Sequence, residues 1–495
     1  MNRTTISLIA GTTALAAVTG FASMSTPGTS DAGTAKAAAQ LPVERTSLLC
    51  PAPSDSDLAE TTYASFTPVT KGTGSDGKAE LAAATTKSVP GAKGKGKAAK
   101  PVLAPKEPGK PVDGDTSGGD APALLGTAEG KFAPGWTLQE TTDVAAGIGR
   151  GLLGVNCAVP DTEFWFPGAS TAADRSDYVH LINPDDSAAV VDIELYGKDG
   201  NLKSEVGEGI TVPPRGSEPI LLSTLTDGPQ ADLTVHVNVR SGRVGAAVQA
   251  LDAKTGGDWL SASSEPAGSQ VLPGIPKDAT SVRLIAFTPS ENDADLKVRL
   301  ASPTGLITPA GNETLHLKAG MTAVADLGDL TRGEAGSVVL TPTDNAVPFV
   351  AALEVVRGKG AKQETAFIPA TGPVSTRATV VGNTARGTIL SLTAPDGAAQ
   401  VKVTASAGSE GGTAATKTYT IKKGTTQDLE LPVPAGLKGT YALTVERVSG
   451  GAVYASRTLL APEDGVPAFT VQTLPDDRAT VAVPDAEQDL SVLQK

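Results

Sequence analysis

Histidine, cysteine and aromatic residues are scarce in this chain of 495 residues. It contains three His, two Cys, three Trp, six Tyr and nine Phe. Because His is the usual general base and a common metal ligand, its scarcity disfavours a catalytic triad or a His-rich metal site. The three His, at 180, 236 and 316, lie in alternating strand patterns, and we interpret them as surface or edge residues. Two Cys alone cannot complete a tetrahedral zinc site.

Sequence signatures of catalysis and nucleotide binding are missing as well. The chain has no HExxH, GxSxG or CxxC motif. The Gly-rich stretch GIGRGLLG at 147–154 lacks the following helix, and the acidic residue about 20 positions on, that a dinucleotide site requires. Adjacent acids such as Asp185 and Asp186 are typical of solvated turns rather than of a glycosidase pair. We therefore predict no catalytic, cofactor-binding or metal-ligating residue, and no enzyme.

The residues that are abundant favour β-structure. Thr and Val suit a pleated, half-buried surface, whereas 55 Gly and 36 Pro interrupt helices and supply turns. In ADLTVHVNVR, for example, Leu233, Val235 and Val237 alternate with polar residues, which predicts a strand with one buried face. No amphipathic helical segments separate the strands, so a parallel α/β fold is disfavoured.

One strand pattern occurs three times along the chain. Each copy has a short apolar strand, a turn marked by Pro and an alternating strand, and the marker prolines are 105 and 106 residues apart. This period is about the size of one small β-sandwich. We therefore predict an all-β fold of tandem antiparallel immunoglobulin-like β-sandwich domains with a disordered insert. The copies are YVHLINPDDSAAVVDIELYG with Pro184, RLIAFTPSENDADLKVRLAS with Pro289, and TILSLTAPDGAAQVKVTASA with Pro395.

The repeats set the predicted domain boundaries. Sandwich repeats are expected at 178–275, 276–375 and 376–475, followed by a tail at 476–495. An N-terminal β module at 41–177 precedes them, interrupted by a disordered Lys/Pro/Gly-rich loop at 71–121. That loop is basic, and we interpret it as a solvated spacer, with contact to anionic wall polymers or lipid headgroups as the alternative. The three sandwiches are expected to form a semi-rigid rod that presents a terminal binding surface.

The N-terminal module is hypothesised to be a degenerate fourth copy of the repeat. TSLLCPAP from Thr46 aligns with TILSLTAP from Thr388, and GWTLQETTDVAAG from Gly135 aligns with GTYALTVERVSGG from Gly439. The match is short and low in complexity. It predicts that Cys50 lies on an early strand of this module and Cys157 on a late one.

The first 40 residues are predicted to direct export. Arg3 precedes an apolar stretch at 6–22, which is the pattern of a signal peptide or of an uncleaved signal-anchor. Residues 20–22 offer a small-x-small cleavage site and residues 35–37 a second one, so both alternatives stay open. In either case the rest of the chain is extracytoplasmic, either secreted or membrane-anchored at the cell envelope.

The two cysteines are predicted to form one disulfide. Cys50 and Cys157 are an isolated, even pair in a chain with an export signal, and neither has a His close to it in sequence. A bridge between them would close a loop of about 100 residues and, in the chain-entropy model, contribute about 4 to 5 kcal/mol.

The densest aromatic cluster is Phe164, Trp165 and Phe166 in DTEFWFPGAS. In a strand, Phe164 and Phe166 would share one face and Trp165 would lie on the other. One interpretation is a core that continues into a domain interface. The alternative is that Trp165 is exposed and forms, with Trp136 or Trp259, a stacking platform for a sugar ring or a partner protein.

Several segments together resemble one known family. These are the leader MNRTTISLIAGTTALAAVTG, LPVERTSLLCPAP, EFWFPGAS and YVHLINPDDSAAVVDIELYGKDG. They are similar to an uncharacterised secreted family of high-GC actinobacteria, classed as a domain of unknown function. The resemblance implies a cell-envelope location and no known activity, cofactor or site residue.

We therefore expect a non-catalytic, exported cell-envelope protein with a structural or interaction role. The expected partner is an unidentified envelope protein or glycan. No nucleic acid is expected to bind, and the membrane is contacted only through an uncleaved anchor. The alternatives are a carbohydrate-binding module that uses Trp165 and a cryptic envelope hydrolase.

Overall fold

A computed structural model describes residues 39–85, 101–461 and 468–483. These residues form 37 strands and three short 3₁₀ helices, η1 (Gly130–Phe132), η2 (Glu205–Gly207) and η3 (Leu222–Leu225). The predicted all-β, antiparallel sandwich fold is confirmed. Where the chain is described, it has no helix of the length and apolarity needed to span a membrane. The predicted leader falls almost entirely on residues 1–38, outside the described residues.

The described chain contains two compact units. The smaller one contains most of a two-stranded ribbon, in which Ala39–Pro42 (β1) pairs with Thr480–Val483 (β37). The larger unit, Pro42–Thr480, contains four β-sandwiches, here named the N-terminal sandwich and sandwiches 1, 2 and 3.

The strands of the larger unit fall into the four sandwiches in chain order. The N-terminal sandwich contains β2 (Arg45–Cys50), β3 (Ala59–Phe66), β4 (Ala79–Ala83), β5 (Val112–Ser117), β6 (Leu124–Glu129), β7 (Thr137–Val144) and β8 (Gly151–Asn156). Sandwich 1 contains β9 (Glu163–Ala169), β10 (Tyr178–Ile182), β11 (Ala189–Gly197), β12 (Gly200–Leu202), β13 (Ile210–Val212), β14 (Ser217–Leu221), β15 (Leu233–Ser241), β16 (Gly245–Asp252) and β17 (Gly256–Leu260). Sandwich 2 contains β18 (Gln270–Ile275), β19 (Ala279–Phe287), β20 (Ala294–Ser302), β21 (Gly305–Ile307), β22 (Thr314–Leu317), β23 (Thr322–Gly328), β24 (Gly336–Pro342), β25 (Val350–Lys359) and β26 (Lys362–Pro369). Sandwich 3 contains β27 (Arg377–Asn383), β28 (Thr388–Ala394), β29 (Ala399–Ala405), β30 (Gly411–Thr413), β31 (Ala415–Ile421), β32 (Thr425–Leu429), β33 (Ala435–Lys438), β34 (Tyr441–Gly450), β35 (Tyr454–Leu460) and β36 (Phe469–Thr473).

All four sandwiches share one topology. If their seven main strands are lettered A to G in chain order, one sheet has the order D-B-F-G and the other contains A-E-C. In the N-terminal sandwich these sheets are β5-β3-β7-β8 and β2-β6-β4. The marker prolines of the three repeats all follow strand B, so the sequence repeat corresponds to a structural one.

The N-terminal sandwich has this topology, but the strands align differently from the sequence hypothesis. The segment at Thr46 is strand A, whereas the segment at Thr388, with which it was aligned, is strand B. Likewise the segment at Gly135 leads into strand F, and that at Gly439 into strand E. Short alternating segments resemble one another in sequence whichever strand they form, which explains the wrong alignment.

Two further sequence predictions differ from the structure. The loop at 71–121 was expected to be disordered, but it contains β4, which pairs with β6, and β5, which pairs with β3. Ala79, Leu81 and Leu103 are buried in the sandwich core, and this burial offsets the cost of ordering the backbone. Residues 86–100 lie outside the described residues.

The first strands of sandwiches 1 and 2, β9 and β18, precede the predicted boundaries at 178 and 276.

The last strand of each sandwich lies against those of two other sandwiches. These four closing strands, β8, β17, β26 and β36, contact one another in a closed ring of that order. The predicted rod is therefore wrong for residues 42–480, because successive sandwiches of a rod would not bring the last sandwich back to the first.

The apolar cores continue across the closing strands. Phe367 of β26 packs into the core of sandwich 1, and Phe469 and Val471 of β36 pack into the core of sandwich 2. Trp259 of β17 packs with Leu153 and other residues of the N-terminal sandwich. Each sandwich thus depends on a neighbour to bury part of its apolar surface.

Polar contacts also link neighbouring sandwiches away from the closing strands. They join sandwich 1 to 2, 2 to 3, 3 to the N-terminal sandwich, and the N-terminal sandwich to 1. In the same order, these hydrogen bonds join Arg283 Nη2 to Asp232 Oδ1 at 2.7 Å, Ser337 Oγ to Thr393 Oγ1 at 2.7 Å, Thr440 Oγ1 to Asp113 Oδ1 at 2.7 Å, and Gln249 Nε2 to the Pro53 carbonyl at 2.9 Å.

Candidate functional site

The structure brings the two cysteines together. Cys50 ends β2 and Cys157 follows β8, and their Cα atoms are 4.4 Å apart in a disulfide that spans 107 positions of sequence. Both side chains are buried in the core of the N-terminal sandwich. The predicted disulfide is confirmed, and it connects the first strand of this sandwich to the end of its closing strand. A disulfide suggests an oxidising, extracytoplasmic environment.

The predicted contact residues Phe164, Trp165 and Phe166 are buried on β9. Phe164 and Phe166 face the core of sandwich 1. Trp165, on the other face, is 6% exposed and packs against Phe287 of sandwich 2, with ring centroids 5.4 Å apart. Trp136 and Trp259 are buried as well, so the alternative of an exposed aromatic platform is wrong. A second sandwich covers the face that a single sandwich would leave in water.

His236 stacks on the Trp165 ring, with centroids 3.7 Å apart. Its Nδ1 lies 2.9 Å from Glu194 Oε2 and its Nε2 lies 3.3 Å from Glu163 Oε1. Tyr196 donates its hydroxyl to the same Glu194 oxygen at 2.8 Å. These contacts tie neighbouring strands of one sheet together above the aromatic interface. No group of three or more His, Cys, Asp or Glu in the described residues has the arrangement of a metal site.

A group of buried polar side chains lies where the closing strands meet. We call Gly154, Asp258, Glu364, Phe469 and Thr470 the strand junction. Together they come from all four sandwiches, because the first is on β8, the next two are on β17 and β26, and the last two are on β36. The exposed fraction is 0% for Asp258 and 4% for Glu364. Sequence analysis singled out neither carboxyl, and it named Gly154 only as part of the Gly-rich stretch 147–154.

Asp258 links three of the closing strands. Its Oδ1 accepts a hydrogen bond from the Gly154 backbone N–H at 3.0 Å. The Thr470 hydroxyl lies 3.1 Å from each carboxyl oxygen and donates to this carboxyl across the ring. The backbone N–H of Trp259 also hydrogen bonds to it. The carboxyl therefore holds β8 and β36 to β17.

Glu364 makes the matching contact on the other side. Its Oε2 accepts a hydrogen bond from the Phe469 N–H at 3.2 Å, which joins β26 to β36. A Cβ at Gly151 would lie 3.5 Å from the Glu364 carboxyl carbon, so β8 approaches it closely too. Two further hydrogen bonds link the closing strands. Asn156 Nδ2 donates to the Thr473 carbonyl at 2.9 Å and joins β8 to β36. The Thr365 N–H of β26 donates to the Thr255 carbonyl, beside β17, at 3.0 Å.

Burial dominates the electrostatics of the junction. It raises the pKa of Asp258 well above the ordinary value, and Glu364 raises it further, although the three hydrogen-bond donors oppose this shift. Burial likewise raises the pKa of Glu364 to about 7, against the effects of the Phe469 N–H, Arg150 and Arg357. Two carboxyls with raised pKa values in one buried site favour a state that retains a proton.

Glycines allow the strands to approach this closely. A Cβ at Gly154 would lie 2.5 Å from Thr470 Cγ2, and one at Gly256 would lie 2.4 Å from the Arg150 carbonyl oxygen. The stretch 147–154, Gly-rich but unsuited to a nucleotide, therefore has a packing role. In the sequence, Asp258 lies between Gly257 and Trp259, and an acid in that position is the signal that could have predicted a buried carboxyl.

A small cavity and an open groove occur in the described part of the chain. One, of about 10 Å³, lies between the N-terminal sandwich and sandwich 1 and is lined by Leu49, Val155 and Ala246 among others. It has room for about one water molecule. The other is an open surface groove of about 350 Å³ beside Lys277 and Asp329 on sandwich 2. Neither contains the strand junction.

The fold and the junction define the chain as a multi-sandwich all-β protein closed around its own strand edges. A family of unknown function, DUF5719, matches residues 112–432, and the chain belongs to this family. The match begins with β5 of the N-terminal sandwich, includes all of sandwiches 1 and 2, and ends in sandwich 3. No curated protein matches the chain significantly.

Proposed function

We propose that this chain is a non-catalytic, extracytoplasmic protein of the cell envelope that holds binding surfaces of four sandwiches in fixed positions for an envelope protein or glycan. The strand junction carries this proposal. The hydrogen bonds of its carboxyls are made within the protein, and they fix the sandwiches to one another rather than face a substrate. The disulfide between Cys50 and Cys157 supports the extracytoplasmic location.

Retention of envelope material by the immobilised full chain tests the binding role. Envelope extract and isolated wall glycan are applied separately, and the retained material is quantified. Gly154→Val, whose larger side chain would force β8 and β36 apart, is expected to retain several-fold less than the original protein. Gly228→Ala is the matched control, because nothing lies within 4 Å of its Cβ position. Retention no greater than that of a blank column in both arms would contradict the binding role.

The non-catalytic part of the proposal has its own test. Purified full chain is incubated with wall polymers at a molar ratio far below that of the polymer bonds, and soluble products are measured by mass spectrometry. We expect no products beyond those of the polymer alone. Multiple turnovers per protein molecule would show a hydrolase instead.

A further inference from the structure

The strand junction places two buried carboxyls where four sandwiches meet, with few compensating charges. Asp258 has the three donors described above, but no Lys or Arg is paired with it within the described residues. Glu364 has one direct donor, the Phe469 N–H. A buried carboxylate without a close cation is costly, and two of them in one site repel each other. The arrangement is therefore sensitive to whether the pair retains a proton.

We propose that the Asp258 and Glu364 pair is a proton-dependent closure: the four closing strands pack tightly while Glu364 holds its proton and loosen when it ionises. Burial raises the pKa of Asp258 well above its ordinary value, and a negative charge on Glu364 raises it further, so Asp258 keeps its proton. Glu364 is then the member that ionises. Its carboxyl contacts β36 directly and approaches β8, so its ionisation weakens two of the contacts in the ring.

The charged groups around the pair have opposing effects. Arg150, just before β8, and Arg357 of β25 favour an ionised Glu364, whereas Asp143 of β7 favours the protonated form. Arg150 Nη2 is already bonded to the Lys254 and Gln363 carbonyls, at 2.8 and 2.9 Å.

Arg357 is engaged elsewhere too. It donates to Asp278 Oδ1 through Nε at 2.9 Å, and its guanidinium lies 4.7 Å from the centre of the Phe469 ring. Thr470 and Gly154, which face Asp258 from β36 and β8, carry no charge. The two cations therefore only partly compensate a negative charge on Glu364.

The sign of the pH effect follows from the direction of the pKa shift. In the closed junction the pKa of Glu364 is about 7, above the ordinary value of 4.5. Protonation therefore stabilises the closed form fully below pH 4.5, and this stabilisation is lost as the pH rises through about 7. Mild acid is expected to tighten the junction and mild alkali to loosen it.

Local hydrogen exchange of the full chain tests this inference. Exchange of β8, β17, β26 and β36 is followed by mass spectrometry at pH 5.5 and 8.5, and each rate is divided by the intrinsic rate at that pH. We expect protection of the closing strands to fall at least about tenfold at pH 8.5, since one pKa unit is a factor of ten. Strands β20 and β29, which are not closing strands, are expected to change less. The local measurement is needed because burial also raises the pKa of Glu140, which would alter global stability.

Two variants separate the pair from other buried acids. In Glu364→Gln, an uncharged side chain still accepts from the Phe469 N–H, so protection at pH 8.5 is expected to match that at pH 5.5. Asp428→Asn is the matched control. Burial raises the pKa of Asp428 too, but this residue lies on β32, at the opposite edge of its sheet from β36. The control is expected to retain the full pH effect.

The inference is overturned if the original protein shows no loss of protection at pH 8.5. It is equally overturned if the loss persists in Glu364→Gln, or if Asp428→Asn removes it. If Glu364→Gln does not fold, Asp143→Asn replaces it. Asp143 favours the protonated form of Glu364, so without its charge the midpoint of the exchange change is expected at a lower pH than in the original protein. An unchanged midpoint there overturns the inference. Because no partner is involved in these measurements, their outcome is independent of the binding role proposed above.

Discussion

A single hydrogen atom at Gly154 sets the distance between two closing strands. The Cβ of an alanine there would lie 2.5 Å from Cγ2 and 2.8 Å from Oγ1 of Thr470. Threonine is stiff about its first side-chain torsion, so it cannot swing away without moving its hydroxyl from Asp258. The tight packing at Gly154 is therefore coupled to the hydrogen bond that crosses the ring.

We predict that Gly154→Ala lowers the free energy of unfolding by about 1 to 3 kcal/mol, the usual cost of overpacking a well-packed site. Denaturant titration of the full chain, followed by tryptophan fluorescence, measures the change. Gly228→Ala, which meets open space, should stay within about 0.5 kcal/mol of the original protein. Equal effects of the two substitutions would mean that the contact with Thr470 has no energetic weight.

The contacts of the buried Asp258 side chain show why the strand junction was not predicted from the sequence. Its partners Gly154 and Thr470 are 104 and 212 positions away, in two other sandwiches. Local alternation predicts which face of a strand is apolar, as it does for Val235 and Val237, but it contains no information on which strand edges meet. Trp165 was ambiguous for the same reason, since Phe287, which packs against its ring, belongs to the next sandwich.

At the scale of elements, the closing strands are sheet edges that the protein covers with other sheet edges. Each is the outer strand of its four-stranded sheet, and an uncovered edge of this kind is prone to pair with other chains. Sandwich topology was predictable from the strand repeat because each strand and turn is specified locally. Closure of the ring of closing strands was not predictable from the sequence, because it depends on small residues at a few positions of β8 and β17.

We predict that sandwich 2, produced alone as residues 268–370, self-associates. Alone, it loses Phe469 and Val471, which fill its core from sandwich 3, and it exposes Phe367, which packs into sandwich 1. Sedimentation velocity of the fragment should show oligomers or aggregates. Phe367→Lys should shift the distribution towards monomer, because a charged side chain on the exposed strand blocks edge pairing.

The matched control for this fragment is Val324→Lys, at a position already 37% exposed on β23 at the far edge of the same sheet. It should leave the self-association unchanged. A fragment that is monomeric and cooperatively folded without any substitution would show that the closing strand does not need its neighbours.

At the scale of the whole Pro42–Thr480 unit, the disulfide and the ring of closing strands reinforce each other. The bridge constrains the unfolded N-terminal sandwich and ends beside its closing strand β8. Since β8 contacts β17 and β36, a change in the stability of this sandwich is transmitted to sandwiches 1 and 3. Independent domains on a rod would not be coupled in this way.

We predict that replacing both Cys50 and Cys157 with Ala lowers the free energy of unfolding by about 4 to 5 kcal/mol, the value that the chain-entropy model gives for a loop of this length. The loss should shift one cooperative transition to lower denaturant concentration, because the cores continue across the closing strands and no sandwich can unfold without exposing its neighbours. Denaturant titration monitored by both far-UV circular dichroism and tryptophan fluorescence measures this, since Trp136 lies in the N-terminal sandwich whereas Trp165 and Trp259 lie in sandwich 1. Two separate transitions, in which the N-terminal sandwich unfolds first and the transition of the other sandwiches is unchanged, would contradict the coupling. They would mean that the sandwiches contact one another at the strand junction but unfold independently.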